Sequence, residues 1–197
     1  MNHDYGALVF YNYTNSGGVT TNNIIKNNKI ETVTGTYGLG MLLYNNFYAE
    51  VTGNVISDVR VGIQTGNYYR ANTGAPATLS DNQITANRRG IFHNLHYSDA
   101  SAFTITGNII IAQDLATGTT FDGIMLSSLQ TAVDAIVTNN TITIGNITQS
   151  PTTGYMIWNT PTTATLSVEG GTVSGADYGV WVNNCEGYSS DAHSTSV

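Results

Sequence analysis

Four charged residues are spaced so that they could act together. Arg60 and Arg88 each stand two positions before a glycine, Gly62 and Gly90, while Arg89 and Asp122 stand one position before Gly90 and Gly123. A guanidinium grips a carboxylate through paired N–H donors, so this group is a candidate for holding an acidic sugar. An interstrand ion pair is the structural alternative. His93, His96 and the nearby Asp99 carry metal-ligand and acid/base chemistry. The register derived below turns His93 inward, which predicts a hydrogen-bonded core histidine and no metal site. Cys185 is the single cysteine, so no intrachain disulfide forms, and a small buried thiol is expected. The glycine-dense stretch Gly35-Thr36-Tyr37-Gly38-Leu39-Gly40 has no helix pattern after it and is not a dinucleotide loop. No G-x-S-x-G nucleophile elbow occurs.

Residues this far apart in sequence meet only if something holds them in register, and an internal repeat supplies it. A six-residue box runs aliphatic, any, Asn/Asp/Gly, Asn or Gly, any, Ile/Val. It begins at Ile25, Val51, Leu79, Ile105, Val137 and Val168, at steps of 26, 28, 26, 32 and 31 residues. A second box, a glycine followed by alternating residues, begins at Gly40, Gly62, Gly90, Gly123, Gly154 and Gly179, and Gly6-Ala7-Leu8-Val9 reads as one more. The two boxes alternate along the chain. Period-two alternation marks strands, and Gly or Asn marks the turns between them.

A unit this short cannot bury an apolar face alone, but units stacked about 4.8 Å apart can. Asn28, Asn54, Asn82, Asn108 and Asn140 would then share one corner and bond the coils above and below. Corner gaps of six residues, such as Ile56 to Gly62, set the minimum, and longer ones such as Ile110 to Gly123 predict inserted loops. Pro76, Pro151 and Pro161 all fall between boxes, where no ladder hydrogen bond is lost.

This repeat resembles the right-handed parallel β-helix family, which includes pectate lyases, polygalacturonases, uronate epimerases and large bacterial surface proteins of adhesin type. The resemblance covers about residues 5 to 184. It implies one all-β domain over 1–197, a right-handed solenoid of about six to seven coils. Residues 185–197 are expected to form an irregular tail or a truncated coil. Neither end shows an amphipathic capping helix, so a fragment with cut ends is expected. The resemblance also implies an extracellular or cell-surface location.

In the glycine box the first and third residues after Gly should face inward, and the second and fourth outward. That puts Tyr44, Phe92, Met125, Met156, Trp158 and Trp181 on the outer wall, flat or thioether side chains suited to sugar rings or a partner protein. Loops 67–75 and 94–102, which carry Tyr68, Tyr69 and Tyr97, would otherwise fold over this row. The enzyme motifs of the resembled families are absent: no NTD, DD, GHG or RIK set, no RxPxxR, no DPHE. The sequence therefore favours a non-catalytic structural, adhesive or carbohydrate-binding segment without cofactor. A polysaccharide lyase or glycoside hydrolase acting on uronate polymers is the alternative, with Arg60, Arg88, Arg89 and Asp122 as its weak catalytic candidates. A self-assembling fibre module, built by end-to-end stacking of coils, is a third.

Composition limits the partners. Of the 197 residues only 10% are charged, against about 25% in typical domains, so Asn, Thr, Ser and Gly must carry solubility. A formal charge of -7 disfavours nucleic acid, which needs a basic stripe. No apolar run approaches the roughly 20 residues of a spanning helix, and Met1-Asn2-His3-Asp4 does not open a signal peptide.

Overall fold

The computed structural model describes residues 6–11, 20–33, 38–44, 47–67, 77–96, 103–114, 120–129, 134–159, 165–183 and 185. These residues form strands and connections without a helix, and every paired strand runs parallel to its neighbours. The chain is a parallel β-solenoid. One wall stacks the strands Thr20–Lys26, Phe47–Thr52, Ala77–Ser80, Phe103–Thr106, Asp134–Thr138 and Thr165–Glu169 into a six-stranded sheet. The other two walls share an 11-stranded sheet. They merge because Val55–Asn67 and Gln83–His96, strands of 13 and 14 residues, run through the corner where the six-residue gaps lie.

The asparagine box shows why its residue types recur. Its third position has left-handed backbone in every coil: Asn27, Gly53, Asp81, Gly107, Asn139 and Gly170 have φ between 54° and 66°. Only Gly, Asn and Asp adopt that region routinely. Side chain and glycine alternate there for a steric reason. A Cβ on Gly53 would lie 2.8 Å from Asn27 Oδ1, and one on Gly107 would lie 2.5 Å from Asp81 Oδ1.

The fourth position carries the ladder. Each asparagine amide Nδ2 donates to Oδ1 of the next, from Asn28 through Asn54, Asn82 and Asn108 to Asn140, at 2.9 Å per step. Each backbone N–H donates to that same oxygen at 2.9 to 3.0 Å. The second Nδ2 proton reaches a carbonyl of the preceding coil, as from Asn82 to Val51 O at 3.0 Å. Asn54, Asn82, Asn108 and Asn140 are fully buried, so these bonds satisfy groups that water cannot reach.

The ladder ends at Gly171. A Cβ there would meet the Tyr155 hydroxyl and lie 2.8 Å from Asn140 O. Tyr155 occupies the inward position that holds Met41, Ile63, Ile91 and Ile124 in earlier coils. The glycine leaves room for its longer ring. Burial pushes the Tyr155 hydroxyl up to about 12.

Aliphatic rows close the interior. Ile63, Ile91, Ile105, Ile110, Ile124 and Ile142 are fully buried. The glycine ladder is a close approach of turns: a Cβ on Gly40 would stand 2.6 Å from both Gly62 O and the inward Ile56. One register expectation is corrected. Gly6 pairs with Leu39 and Leu8 with Met41, so Ala7 takes the place expected for Gly6, and Leu8 rather than Ala7 faces the core. Apart from Cys185, which is buried with Sγ 3.8 Å from Ile157 O, the expected tail lies outside the described residues. So do Pro76, Pro161, Tyr68, Tyr69, Tyr97 and Asp99.

Replacing Asn82 by Ala removes the oxygen that accepts two donors of Asn54 and leaves them buried. Unfolding in urea should show a loss of about 3 kcal/mol, against about 1 kcal/mol or less for Asn28→Ala at the ladder's exposed start. Equal losses at the two positions would contradict the ladder account. Tyr155 stays protonated in the fold while an unfolded tyrosine ionises near pH 10. Stability is therefore fully present below about pH 10 and declines as pH rises towards 12. Melting curves of Tyr155→Phe should lack that part of the alkaline decline.

Candidate functional site

The outer face of the glycine wall is built from three in-register rows. The first runs Leu39, Val61, Arg89, Asp122, Thr153 and Tyr178. The second runs Val9, Leu42, Gln64, Phe92, Met125, Met156 and Trp181. The third holds Tyr44, Gly66, Asn94, Ser127, Trp158 and Asn183. Alternation fixes the outward placement of the second and third rows, because Ile63, Ile91 and Ile124 beside the second row point into the core, and the first row lies on the same face because Leu39 and Val61 pack with Leu42 and Tyr44 outside the core.

Burial divides the six residues expected to contact a partner. Phe92 and Trp181 are half-buried and Trp158 is 40% exposed. Tyr44, Met125 and Met156 are only 8, 7 and 5% exposed, which corrects the expectation of an open row. Around Tyr44 the reason is visible: Leu39, Leu42, Tyr44 and Val61 pack as a second apolar cluster on the outside of the sheet, with Phe92 against it. The accessible aromatic surface is thus Phe92, Trp158 and Trp181. Tyr178 adds to it, its ring centroid 5.0 Å from that of Trp181.

The charged group lies beside these rows. Arg89 and Asp122 are register partners, and Arg89 Nε donates to Asp122 Oδ2 at 3.2 Å. The second carboxylate oxygen accepts Thr153 Oγ1 at 2.6 Å. The Arg89 guanidinium lies 4.4 Å over the Phe92 ring, a cation–π contact that fixes the ring's orientation. Arg88 is a different case. Its Nε is buried without a hydrogen-bond partner. Burial first, then the positive charges of Arg89 and Arg60, hold its guanidinium below the usual arginine range, with Asp122 acting in the opposite sense.

Arg88 sits in a crowded polar corner. Glutamines from later coils reach the residues around it: Gln113 Nε2 donates to Asp58 Oδ1 at 2.8 Å, and Gln149 Nε2 to the carbonyl of Asn87, the residue before Arg88, at 2.8 Å. Sequence reasoning missed Gln113 and Gln149, since glutamines in an inserted loop carry no periodic signal. The only hint of them was the unequal corner length.

His93 faces the interior, 6% exposed, with Nδ1 2.6 Å from Thr65 Oγ1 and its ring 4.2 Å from Phe103. That accounts for it as a core residue. The His96 backbone pairs with Asn67 and Leu129, and its side chain lies outside the described residues. Among the described residues no three of His, Cys, Asp or Glu gather to hold a metal, and no helix is long and apolar enough to cross a membrane. Compared with family models, curated proteins and solved structures, the chain matches none.

The Arg89–Asp122 pair is largely buried, with side chains 17 and 7% exposed, so its loss leaves one charge without its partner. Asp122→Ala should lower unfolding stability by about 2 kcal/mol. Replacing both partners at once, Arg89→Met with Asp122→Leu, should recover most of that in the same urea titration. No recovery would mean that the two residues act separately.

Proposed function

We propose that this parallel β-solenoid is a right-handed β-helix and a non-catalytic segment of an extracellular or cell-surface protein, and that its glycine wall binds carbohydrate. The observation that carries the reading is the accessible aromatic group Phe92, Trp158, Trp181 and Tyr178, on an outer sheet face that a solvated wall would fill with polar side chains. Aromatic rings present flat apolar surfaces that stack on the C–H faces of sugars at small ordering cost. The cation–π contact with Arg89 holds Phe92 in place before any ligand arrives, which reduces that cost further. Asp122 is already engaged by Arg89 and Thr153, which favours a supporting role for it over proton transfer.

The second reading, a lyase acting on uronate polymers, is favoured by one observation. Arg88 lies close enough to Arg60 and Arg89 for their charges to act on it, and such a cluster of guanidinium groups is suited to holding a uronate carboxylate. Turnover would release an unsaturated sugar that absorbs in the ultraviolet, and Arg88→Met should abolish it.

For the leading reading, the measurement is binding to a panel of neutral and uronate polysaccharides. Trp158→Ala combined with Trp181→Ala should weaken binding by about tenfold or more with the fold intact by circular dichroism. Unchanged binding in that double variant would remove the aromatic wall from consideration.

A further inference from the structure

Between the asparagine corner and the glycine wall lies a third wall of short strands. It is built from Lys29–Glu31, Ile109–Ala112, Thr141–Thr143 and Thr172–Ser174, together with the first residues of Val55–Asn67 and Gln83–His96. Ile30, Ile56, Ile84, Ile110 and Ile142 at the strand centres belong to the core. The residues on either side of each therefore point outward.

Two outward rows result. The first runs Lys29, Val55, Gln83, Ile109, Thr141 and Thr172 in register, and every one of these is exposed. The second begins with the partners Glu31 and Ser57 and continues through Thr85, Ile111, Thr143 and Ser174. Val55, Ile109 and Ile111 are 39, 43 and 45% exposed, so no other part of the chain covers the wall at these points.

The residue types on these rows are narrowly chosen. Apart from Gln83 and the two charges of the first turn, every one is Thr, Ser, Val or Ile. Branching at Cβ restricts χ1, so the methyls and hydroxyls stand at fixed places before anything binds. Lys29 Nζ and Glu31 Oε1 are 2.8 Å apart and cancel each other. The wall is thus neutral on a chain whose formal charge is -7. At ordinary strand geometry its outward positions form a grid, about 4.8 Å from turn to turn and about 6.6 Å along each strand.

That chemistry selects the occupant. Protein partners are gripped mainly through Trp, Tyr and Arg, and sugars through aromatic rings. None of these residues occurs on the two rows. The rows offer a neutral, two-dimensional repeat of methyl and hydroxyl groups. A crystal of water is neutral, presents O–H groups for hydrogen bonding, and repeats its oxygens on the faces of hexagonal ice at spacings close to those of the grid. Threonine hydroxyls can bond to lattice waters while the exposed methyls order the water beside them.

We infer that this third wall binds ice, with Ile109, Ile111, Thr141 and Thr143 at the centre of the contact. The inference is independent of the carbohydrate reading, which uses the glycine wall.

Partition of the 197-residue chain into slowly grown ice, together with the gap between its melting and freezing points, tests this. The wild type should be enriched in the ice and should open a measurable gap. Ile111→Lys and Thr143→Lys each put a charged, flexible side chain on the grid, and each should abolish both readouts with β-structure intact by circular dichroism. Thr143→Ser, which keeps the hydroxyl and removes only a methyl, should show a partial loss and serves if a lysine variant does not fold. Trp158→Ala with Trp181→Ala should leave both readouts unchanged. A wild type excluded from ice like an ordinary solute overturns the inference, as does ice binding that both lysine variants retain. Two other results would assign the wall to a different occupant and equally overturn it. One is self-association without ice enrichment that Ile111→Lys removes. The other is binding to microcrystalline cellulose without ice enrichment that Ile111→Lys removes.

Discussion

One asparagine amide per turn, buried where the chain must bend, is what the stacking depends on. A turn in a solenoid leaves backbone N–H groups pointing along the axis into a space too narrow for water. Side-chain amides at Asn54, Asn82 and Asn108 accept those protons and pass on two of their own. Each bond contributes about 1 kcal/mol net, yet an unmade one costs more than that. The ladder therefore specifies register more than it adds stability. A turn that slipped by one residue would leave its donors buried and unpaired.

With register fixed, the remaining residue choices follow from spacing. Turns about 4.8 Å apart bring Gly62 O into the space a Cβ at Gly40 would need, so the wall carries glycine at that point from Gly40 to Gly179. The same spacing lets a large side chain lean from one corner onto the next, and a glycine must receive it. Tyr155 and Gly171 show the same accommodation inside the tube. The interior is so fully committed to these fits that chemistry has only the outer faces and the inserted corners. Two features there stand out from solvated wall: the aromatic group around Trp181, and the polar corner at Arg88, where Gln113 and Gln149 reach back to earlier turns.

The fold was legible because its signal is periodic. Boxes that recur at nearly constant spacing announced the strands, the asparagine corner and the inward faces of Ile63, Ile91 and Ile124, all of which the structure bears out. The Arg89–Asp122 register was readable for the same reason. What could not be read lay outside the period. Tyr44, Met125 and Met156 share the outward register with Trp158 and differ from it only in burial, which depends on what packs beside each one. Gly6 looked like the start of a glycine box, but it pairs with Leu39 and Leu8 pairs with Met41, so Ala7 stands in the glycine row and the motif slipped by one residue. Gln113 and Gln149 reach across turns from loops of unequal length, and no pattern in the chain marks such a reach.

The account rests on the buried amide ladder, and hydrogen exchange of side-chain amides observed by nuclear magnetic resonance reads it directly. The carboxamide protons of Asn54, Asn82 and Asn108 should exchange as slowly as the core backbone amides of Ile84 and Ile110. Exchange at the rate of a solvated asparagine would contradict the ladder, and with it the stacking of the turns.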